Sequence, residues 1–247
     1  RHDEVKRFRP RFNPDVNNWW MCDEGRFAFE GANPTDRLAG AVEFGATPGA
    51  LTPLNERSAL ETVRDLVRLH SPAAICLSPF ATQEEAKLVL DLAKAIDAEV
   101  FFASPAPNEL KDDLLHTGDP CPNRKGLEQL GIEAVDAADV ASKLEGKKAA
   151  LFIGERIGAL VGEEQMAGLP RDLRSVVFDV KASKAPGVVC SIGIANYIEK
   201  SGTFVNIDGH EGKILPARSA PAGTSYLTTS LERLMALLSQ DLETSAN

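Results

Sequence analysis

Cysteine is scarce in this chain, with four residues in 247, at Cys22, Cys76, Cys121 and Cys190. No two of them form a Cys-x-x-Cys pair, so the sequence alone does not spell out a complete zinc or iron–sulfur framework. A chain of this length with so few cysteines is not expected to depend on disulfide bonds. The scarcity of cysteine favours a reducing, cytosolic setting.

Long apolar runs and positive charge are also in short supply. No stretch approaches the roughly 18–20 apolar residues that span a bilayer, so no membrane-inserted segment is predicted. Lys and Arg number 27 against 36 Asp and Glu, which gives a formal net charge of −9. Nucleic acid and anionic membranes are therefore not expected partners, because phosphate neutralisation needs clustered cations.

The beginning of the chain has no signal-peptide pattern, since the charged stretch Arg1-His2-Asp3-Glu4 leads directly into a strand-like segment. The absence of an initiating Met indicates a fragment, or a chain whose beginning was not seen. The composition, 43% hydrophobic and 26% charged, is typical of a globular protein. The length suits one large domain or two small ones.

The first 30 residues predict a small N-terminal β appendage. Residues 5–12 alternate apolar and basic side chains, which favours a short edge strand that contains Pro10. Asn13-Pro14-Asp15 predicts a turn. Residues 31–55 are rich in Gly, Pro, Asn and Thr, and we expect a surface loop there.

Beyond residue 55, strand and helix signals alternate. Capping boxes that begin at Ser58, Thr82 and Thr229 predict three helices, and a further short helix is expected over 136–144. Strands that are apolar throughout are typical of a parallel sheet covered on both faces. We therefore predict an α/β fold with a Rossmann-like, doubly wound, mostly parallel sheet. The apolar runs that predict its strands are 73–77, 99–103, 149–154, 175–180 and 187–190.

Sheets of this kind bind ligands at the carboxyl ends of their strands. The loops that follow the predicted strands contain neither a Gly-x-Gly-x-x-Gly motif nor a P-loop. Gly154, directly after a strand, allows two interpretations. It lets a nucleotide phosphate approach the backbone, or it makes a tight turn, and the turn is favoured because glycine commonly ends a strand.

Several other residues carry potential chemistry. His116 and Cys121 are spaced so that they could share a metal, but a surface-loop thiol is the favoured interpretation of Cys121. Cys76 and Cys190 lie in apolar strands and are predicted to be buried. His210 lies between two acidic residues, where a general base is conceivable and a solvated turn histidine is favoured.

Cys22 has different surroundings. It follows Trp19 and Trp20, precedes an Asp-Glu-Gly-Arg turn, and comes soon after the basic segment 5–12. Thiolate ligands of a metal cluster favour a dry shell with nearby hydrogen-bond donors or positive charge. From these residues alone, Cys22 is either a cluster ligand or a buried thiol, and the buried thiol is favoured.

Residues 5–27 follow the pattern Val-x-Arg-x-x-Pro-Arg-x-Asn-x-x-Val-Asn-x-x-Trp-x-Cys-Asp-x-Gly-Arg-Phe. This stretch resembles the end of the cluster domain in the molybdopterin-type oxidoreductases, and most closely in the large iron–sulfur subunits of NADH–quinone oxidoreductases, respiratory complex I. The resemblance implies that Cys22 is the fourth ligand of a 4Fe–4S cluster, whose other three cysteines would precede Arg1. It also implies a dry, partly positive shell made by Trp19, Trp20, Met21 and Arg26.

Residues 198–210 are similar to the family's Glu-Lys-x-Gly-Thr-Phe-x-Asn-x-Glu-Gly-Arg, with Asp208 and His210 in place of the last Glu and Arg. A weaker likeness covers 123–131. If a molybdopterin is bound, the resemblance implies that it contacts Gly202, Thr203 and Asn206.

The resemblance divides the chain into residues 1–30, the C-terminal part of a 4Fe–4S domain, and 31–247, a shortened molybdopterin-oxidoreductase-like α/β domain. The C-terminal pterin-capping domain of the family would be missing.

The implied function is part of an electron-transferring iron–sulfur subunit of an NADH–quinone oxidoreductase, in which the α/β domain is mainly a scaffold without catalytic residues. Two alternatives stay open: a formate-dehydrogenase-like or NAD-linked hydrogenase subunit that binds molybdopterin, and a non-catalytic docking module. The expected partners are other soluble subunits of a respiratory or NAD-linked complex. The expected location is cytoplasmic, peripheral on the inner face of the cell membrane through those subunits.

Overall fold

The computed structural model describes residues 4–45, 50–106 and 108–245. Its strands are β1 (Ala41–Phe44), β2 (Leu51–Leu54), β3 (Ala73–Leu77), β4 (Glu99–Ser104), β5 (Glu133–Asp136), β6 (Ala149–Ile153), β7 (Arg174–Asp179), β8 (Val188–Gly193), β9 (Gly202–Val205) and β10 (Glu211–Ile214). Its α-helices are α1 (Asp23–Phe27), α2 (Glu56–Leu69), α3 (Gln83–Ile96), α4 (Arg124–Gln129), α5 (Val140–Lys143), α6 (Ile157–Val161), α7 (Glu163–Ala167) and α8 (Leu227–Ser245).

Eight of the strands form one sheet in the order β2-β1-β8-β7-β6-β3-β4-β5. The six strands from β8 to β5 are parallel to one another. Strands β1 and β2 add an antiparallel hairpin at the β8 edge. The predicted α/β fold with a Rossmann-like, mostly parallel sheet is therefore confirmed.

Apolar residues cover both faces of the sheet. Strands β3 and β6 are therefore buried along their whole length. On one face, α2, α3 and α8 pack Leu60, Val89 and Leu231 against the sheet. On the other face, the shorter helices include Ile157 and Met166 in a second apolar cluster. Among the residues described, no helix is long and apolar enough to cross a membrane.

The direction of winding reverses between β3 and β6. From β3 the chain proceeds outward through β4 to β5, and it then returns to β6, on the other side of β3, before β7 and β8. The carboxyl ends of β3 and β6 therefore flank a topological switch point, where open α/β sheets form ligand-binding crevices.

The strand predicted over residues 5–12 is wrong, because the described residues 4–12 have no regular secondary structure. Instead of pairing with a strand, the backbone of Val5 is satisfied by a side chain. The amide N–H of Val5 donates to Oδ1 of Asn33 at 3.0 Å, and Nδ2 of Asn33 donates to the Val5 carbonyl at 2.8 Å. The appendage is thus an extended segment followed by α1 and a 3-10 helix at Ala28–Ala32. A turn at residues 14–17 overlaps the one predicted at Asn13-Pro14-Asp15.

The surface loop predicted over 31–55 is also wrong in part, because β1 and β2 lie within it. Each strand has only four residues, and β2 contains Pro53 at the sheet edge, so neither gives the long alternation that predicts a strand. Pairing with β8 stabilises them, and that contact is remote in sequence. Residues 46–49, also in the predicted loop, lie outside the described residues.

The predicted helix starts differ in accuracy. The Thr82 capping box is present in full: the side chain of Thr82 accepts from the amide of Glu85, and the Glu85 carboxylate accepts from the amide of Thr82. The box predicted at Ser58 is wrong, because Asn55 caps α2 and accepts from the amide of Ser58 at 2.9 Å.

Two further helix predictions need correction. Helix α8 begins at Leu227, ahead of the predicted Thr229. The helix predicted over 136–144 is shorter, since Asp136 ends β5 and caps a 3-10 turn before α5.

Candidate functional site

Cys22 lies at the N-terminus of α1, where its side chain takes the position that Ser or Asp usually occupies. Its Sγ accepts a hydrogen bond from the amide of Gly25 at 3.4 Å. The residue is partly exposed, whereas Cys76, Cys121 and Cys190 are buried. Cys22 is therefore the one partly exposed cysteine of the four, and its favoured interpretation as a buried thiol is wrong.

The aromatic residues around Cys22 are exposed to an unusual degree. Trp19 is 66% exposed, Trp20 is 63% exposed and Phe27 is 59% exposed. The rings of Phe12 and Trp19 pack on each other with centroids 5.0 Å apart. Exposed apolar side chains that pack together, as Phe12 and Trp19 do, are typical of surfaces that contact another molecule.

A cluster cannot be held by the described residues alone. No group of three or more His, Cys, Asp or Glu within 4–45, 50–106 and 108–245 is arranged to hold a metal ion. Cys22 supplies one thiol where a 4Fe–4S cluster needs four ligands. The assignment of Cys22 as a ligand stays a prediction that requires cysteines from elsewhere.

Cys76 and Cys190 are buried as predicted. Burial raises the pKa of the Cys76 thiol, and it raises the pKa of Cys190 to about 12. Both therefore stay protonated at neutral pH and behave as small apolar residues.

The prediction that Cys121 is a surface-loop thiol is wrong, because the residue is 2% exposed. Arg124 of α4 holds its loop against the sheet by donating to Asp119 at 2.8 Å, to Ser104 Oγ at 2.6 Å and to Cys121 Sγ at 3.4 Å. Burial raises the pKa of Cys121 to about 12. This arrangement is structural. No local pattern in the sequence predicts that Arg124 binds Ser104, Asp119 and Cys121 together.

The two histidines singled out by the sequence have separate partners. Nε2 of His116 lies 2.5 Å from Oε2 of Glu24, so the long loop after β4 contacts α1 beside Cys22. His210 is exposed in the connection between β9 and β10, where its amide donates to Oδ1 of Asn206 at 2.9 Å. The favoured interpretation of His210 as a solvated turn residue is confirmed.

The three residues expected to contact a pterin make contacts with other residues of this chain. Gly202 lies against Thr82, whose side chain would collide with any Cβ at that position. Thr203 donates from its amide and from its hydroxyl to the carboxylate of Glu84, each at 2.9 Å. Asn206 closes the β9–β10 turn by accepting from the amide of His210. Their role in pterin binding stays a prediction.

At the switch point, Gly154 makes the tight turn that the sequence favoured. Its φ is +112°, and a Cβ there would lie 2.8 Å from Cβ of Ser78. The Ser78 hydroxyl donates to the carbonyl of Glu155 at 2.6 Å, which ties the loop after β3 to the loop after β6. The glycine is required so that these two loops can touch.

Glu155, which sequence reasoning missed, is buried at this point. It is 3% exposed, and its Oε2 has no hydrogen-bond partner among the described residues. Burial raises the pKa of its carboxyl to about 7, although the nearby Lys200 favours the charged form. Only the sequence position, directly after a strand-ending glycine at a sheet edge, could have drawn attention to it.

Asp179, at the end of β7, is the second buried carboxyl of this edge. Oδ1 accepts from the amides of Arg156 at 2.8 Å and Val180 at 2.6 Å, and Oδ2 accepts from Gly158 at 3.2 Å. Burial raises the pKa of Asp179 to about 6 despite these hydrogen bonds. Asp179 therefore fixes the backbone that leads into α6.

A cavity of about 1370 Å³ opens beside these carboxyls. It is lined by the loops after β6 and β7, by residues 27–36 and by the segment after β8. Its wall includes the aromatic rings of Phe8, Phe27, Phe80, Tyr197 and Phe204. The N-terminal segment thus contributes one side of a cavity whose other side is the edge of the α/β sheet.

A buried ion-pair network joins the N-terminal segment to the sheet. Glu199 is fully buried and accepts from both Nη atoms of Arg37, at 2.8 and 2.7 Å. Arg218 donates to the same carboxylate at 3.0 Å, and the amide of Asn196 donates at 3.1 Å. Glu199 belongs to the segment that resembles the molybdopterin family, and here it is occupied by structural contacts.

Comparison with known proteins gives weak but consistent similarity to one kind of protein, the G subunit of NADH-quinone oxidoreductase. The chain is 29% identical over 139 residues to that protein from Pseudomonas fluorescens, covering 52% of this chain and 14% of the relative. It is 29% identical over 115 residues to the Pseudomonas putida protein of the same name, covering 44% and 11%. For the one from Shewanella oneidensis the identity is 26% over 153 residues, covering 57% and 16%.

These matches span less than a fifth of the relatives' own length, and no family model matches the chain. Among solved structures, a chain of the formyltransferase/hydrolase complex of Methylorubrum extorquens, determined with methylofuran, superposes with a TM-score of 0.52 at 10% identity. That match covers 84% of this chain and 100% of the other. It shows a shared fold, whereas the sequence similarity is to NADH-quinone oxidoreductases.

Proposed function

We propose that this chain is part of an electron-transferring iron–sulfur subunit of an NADH–quinone oxidoreductase, with an α/β region that serves mainly as a scaffold. The names of the similar proteins support the kind of complex. The residue pattern at 5–27 supports the place of this segment within such a protein.

The observation that carries the proposal is the position of Cys22. It is partly exposed, it accepts an amide hydrogen bond at its sulfur, and it lies in an exposed aromatic surface. Amide donors to sulfur and a dry shell are the features that stabilise a thiolate-held cluster. Together with three cysteines that would precede Arg1, Cys22 would hold the cluster, and Trp19 and Trp20 would form part of its dry shell once a neighbouring subunit covers them.

The scaffold role is supported by the way polar residues are used in the α/β region. Glu199 is enclosed by two arginines, and Asp179 is enclosed by three amides. Lys200 is buried and donates to Glu85 at 2.7 Å and to the carbonyl of Phe80 at 3.2 Å. These groups stabilise loops at the sheet edge, and they leave the redox chemistry to the assembly.

The proposed partners are other soluble subunits of the same complex, which would place the chain at the inner face of the cell membrane without inserting it. The exposed aromatic surface around Trp19 and Trp20 is the part of this chain that such a neighbour would cover.

The proposal is tested by metal analysis of the full-length gene product purified without oxygen. We expect iron and acid-labile sulfide in equal amounts, without molybdenum or tungsten. Protein without iron would contradict the proposal and favour a docking module. Molybdenum or tungsten, with pterin fluorescence after denaturation, would favour the formate-dehydrogenase-like or hydrogenase-type alternative.

A further inference from the structure

The cavity at the switch point carries chemistry that the proposed function does not use. Two of the carboxyl groups that line it, Glu155 and Asp179, are buried. Three more lie at exposed positions along its wall, at Glu30, Asp36 and Glu163. Cations line it at three positions, which makes the wall acidic on balance.

The cations are partly engaged already. The guanidinium of Arg156 lies 4.9 Å from the ring centroid of Phe80, where it makes a cation–π contact. Nζ of Lys181 lies 2.8 Å from Asp36. The remaining cation is Lys184. A ligand with a diphosphate would therefore meet more carboxylates than cations in this cavity.

The two buried carboxyls differ in what they can still bind. Asp179 already accepts hydrogen bonds from three amides. Glu155 has an oxygen, Oε2, without a partner among the residues that the structure describes. A buried carboxyl oxygen is costly to leave unpaired, so Glu155 is a group that gains from a hydrogen-bond donor.

The aromatic side chains determine the shape of a suitable ligand. Phe80 and Phe204 line the cavity, and Phe8 and Tyr197, which also line it, pack edge to face with centroids 6.2 Å apart. Rings arranged around a cavity stack on flat ligands and favour aromatic cations.

We propose that this cavity binds a small aromatic cation, an amidine or amine carried on a flat ring, whose N–H groups donate to Glu155. The site needs neither Cys22 nor a cluster, so it would add ligand binding to the proposed role in electron transfer. It also differs from what the resemblance to the molybdopterin family implies. The donor set here does not fit the diphosphate of a pterin dinucleotide, and Gly202, Thr203 and Asn206 do not line this cavity in the described part of the chain.

The proposal is tested with the purified full-length gene product by isothermal titration calorimetry at pH 8, where the Glu155 carboxyl is ionised. Benzamidine is the probe, benzamide is its neutral analogue of the same shape, and guanosine diphosphate is the anionic competitor. We expect benzamidine to bind at least tenfold more tightly than benzamide, and guanosine diphosphate not to bind.

Variants locate the binding. Glu155→Gln keeps the size of the side chain and removes its charge, so we expect at least a tenfold loss of benzamidine affinity. Phe80→Leu removes one ring and is expected to weaken binding several-fold. Glu232→Gln, an exposed change on α8, is the matched control and should bind like the wild type. Circular dichroism verifies that each variant is folded.

Three results would overturn the proposal: no heat with benzamidine, tighter binding of guanosine diphosphate than of benzamidine, or unchanged benzamidine affinity in either Glu155→Gln or Phe80→Leu. Metal analysis of the full-length product is independent of each of these. The iron–sulfur proposal can therefore fail or hold separately.

Discussion

Burial makes the carboxyl of Glu155 harder to ionise than that of an exposed glutamate. Its pKa rises from 4.5 to about 7, mainly because the buried site penalises the charged form. The charged groups that act on it are Lys200, which opposes the rise, and Asp179 and Glu85, which add to it. The carboxyl therefore keeps its proton up to a higher pH in the folded chain than in the unfolded chain.

The sign of the pH dependence follows from this shift. Below pH 4.5 the carboxyl is protonated in both states, and its favourable contribution to folding is fully present. As the pH rises to about 7, the unfolded chain loses the proton first, and about 3 kcal/mol of stability is lost.

Glu155→Gln removes this ionisation. We expect the free energy of unfolding of the variant, minus that of the wild type, to rise by about 3 kcal/mol between pH 4 and pH 8. Urea unfolding at several pH values measures the difference. A difference that does not change with pH would show that Glu155 is not held in a buried, ionisation-resistant site.

Single residues also show where sequence reasoning stops. The pattern around Cys22 is local, so its candidate role could be read from the letters alone. Nothing local distinguishes Glu155 from an exposed glutamate, because Lys200 and Asp179, which surround it, are remote in sequence. The burial of Cys121 was missed because Arg124, three residues away, also binds Ser104 of β4, which lies 20 residues earlier in the chain.

At the scale of elements, the junction of the β3 and β6 loops depends on the absence of a side chain at Gly154. The backbone there has φ +112°, and Cβ of Ser78 occupies the adjacent space. A residue with a side chain would be strained twice, by its own backbone conformation and by the contact with Ser78.

Gly162 provides the matched comparison for this junction. Its φ is +84°, and an added Cβ would meet nothing within 4 Å. We expect Gly162→Ala to cost about 1–3 kcal/mol from backbone strain alone, because its φ of +84° with ψ of 153° lies in a region that essentially only glycine adopts, and Gly154→Ala to cost at least 1 kcal/mol more because Ser78 must move. Thermal unfolding of both variants measures the gap. Equal losses would contradict the close approach of the two loops.

The elements that the sequence predicted share one property, which is that their signal is complete within a few residues. Strands β3 and β6 are apolar throughout, and the Thr82 box contains both of its members within four positions. Strands β1, β2 and β5 were missed because each has only four residues, and in β2 and β5 three of the four are exposed. Their stability comes from pairing with neighbours that the local sequence does not reveal.

At the scale of the whole molecule, Glu199 connects segments that are far apart in the chain. Its carboxylate accepts from Arg37, Arg218 and the amide of Asn196, and Arg218 also donates to the carbonyl of Ala32 at 3.0 Å. The network fixes residues 32–37 against the end of β8, and so it shapes one side of the cavity.

Glu199→Gln leaves the partly buried guanidinium groups of Arg37 and Arg218 without their carboxylate. We expect a loss of about 3–5 kcal/mol in the free energy of unfolding, since removing one partner of a buried ion pair leaves uncompensated charge. Glu61→Gln, which breaks the exposed pair with Arg57, is the control and should cost less than about 0.5 kcal/mol. Chemical denaturation measures both losses. Similar small losses would contradict the role of Glu199 in fixing residues 32–37 against the end of β8.

The central claim is that the Cys22 thiolate is a ligand of an iron–sulfur cluster in the full-length protein. The most direct measurement is the electron paramagnetic resonance spectrum of the reduced full-length product, with spins counted in the wild type, in Cys22→Ser and in Cys121→Ser. We expect Cys22→Ser to lose one cluster signal while its α/β region still folds. Cys121→Ser, which changes a buried thiol beside Arg124, should keep every signal. A full set of signals in Cys22→Ser would contradict the claim.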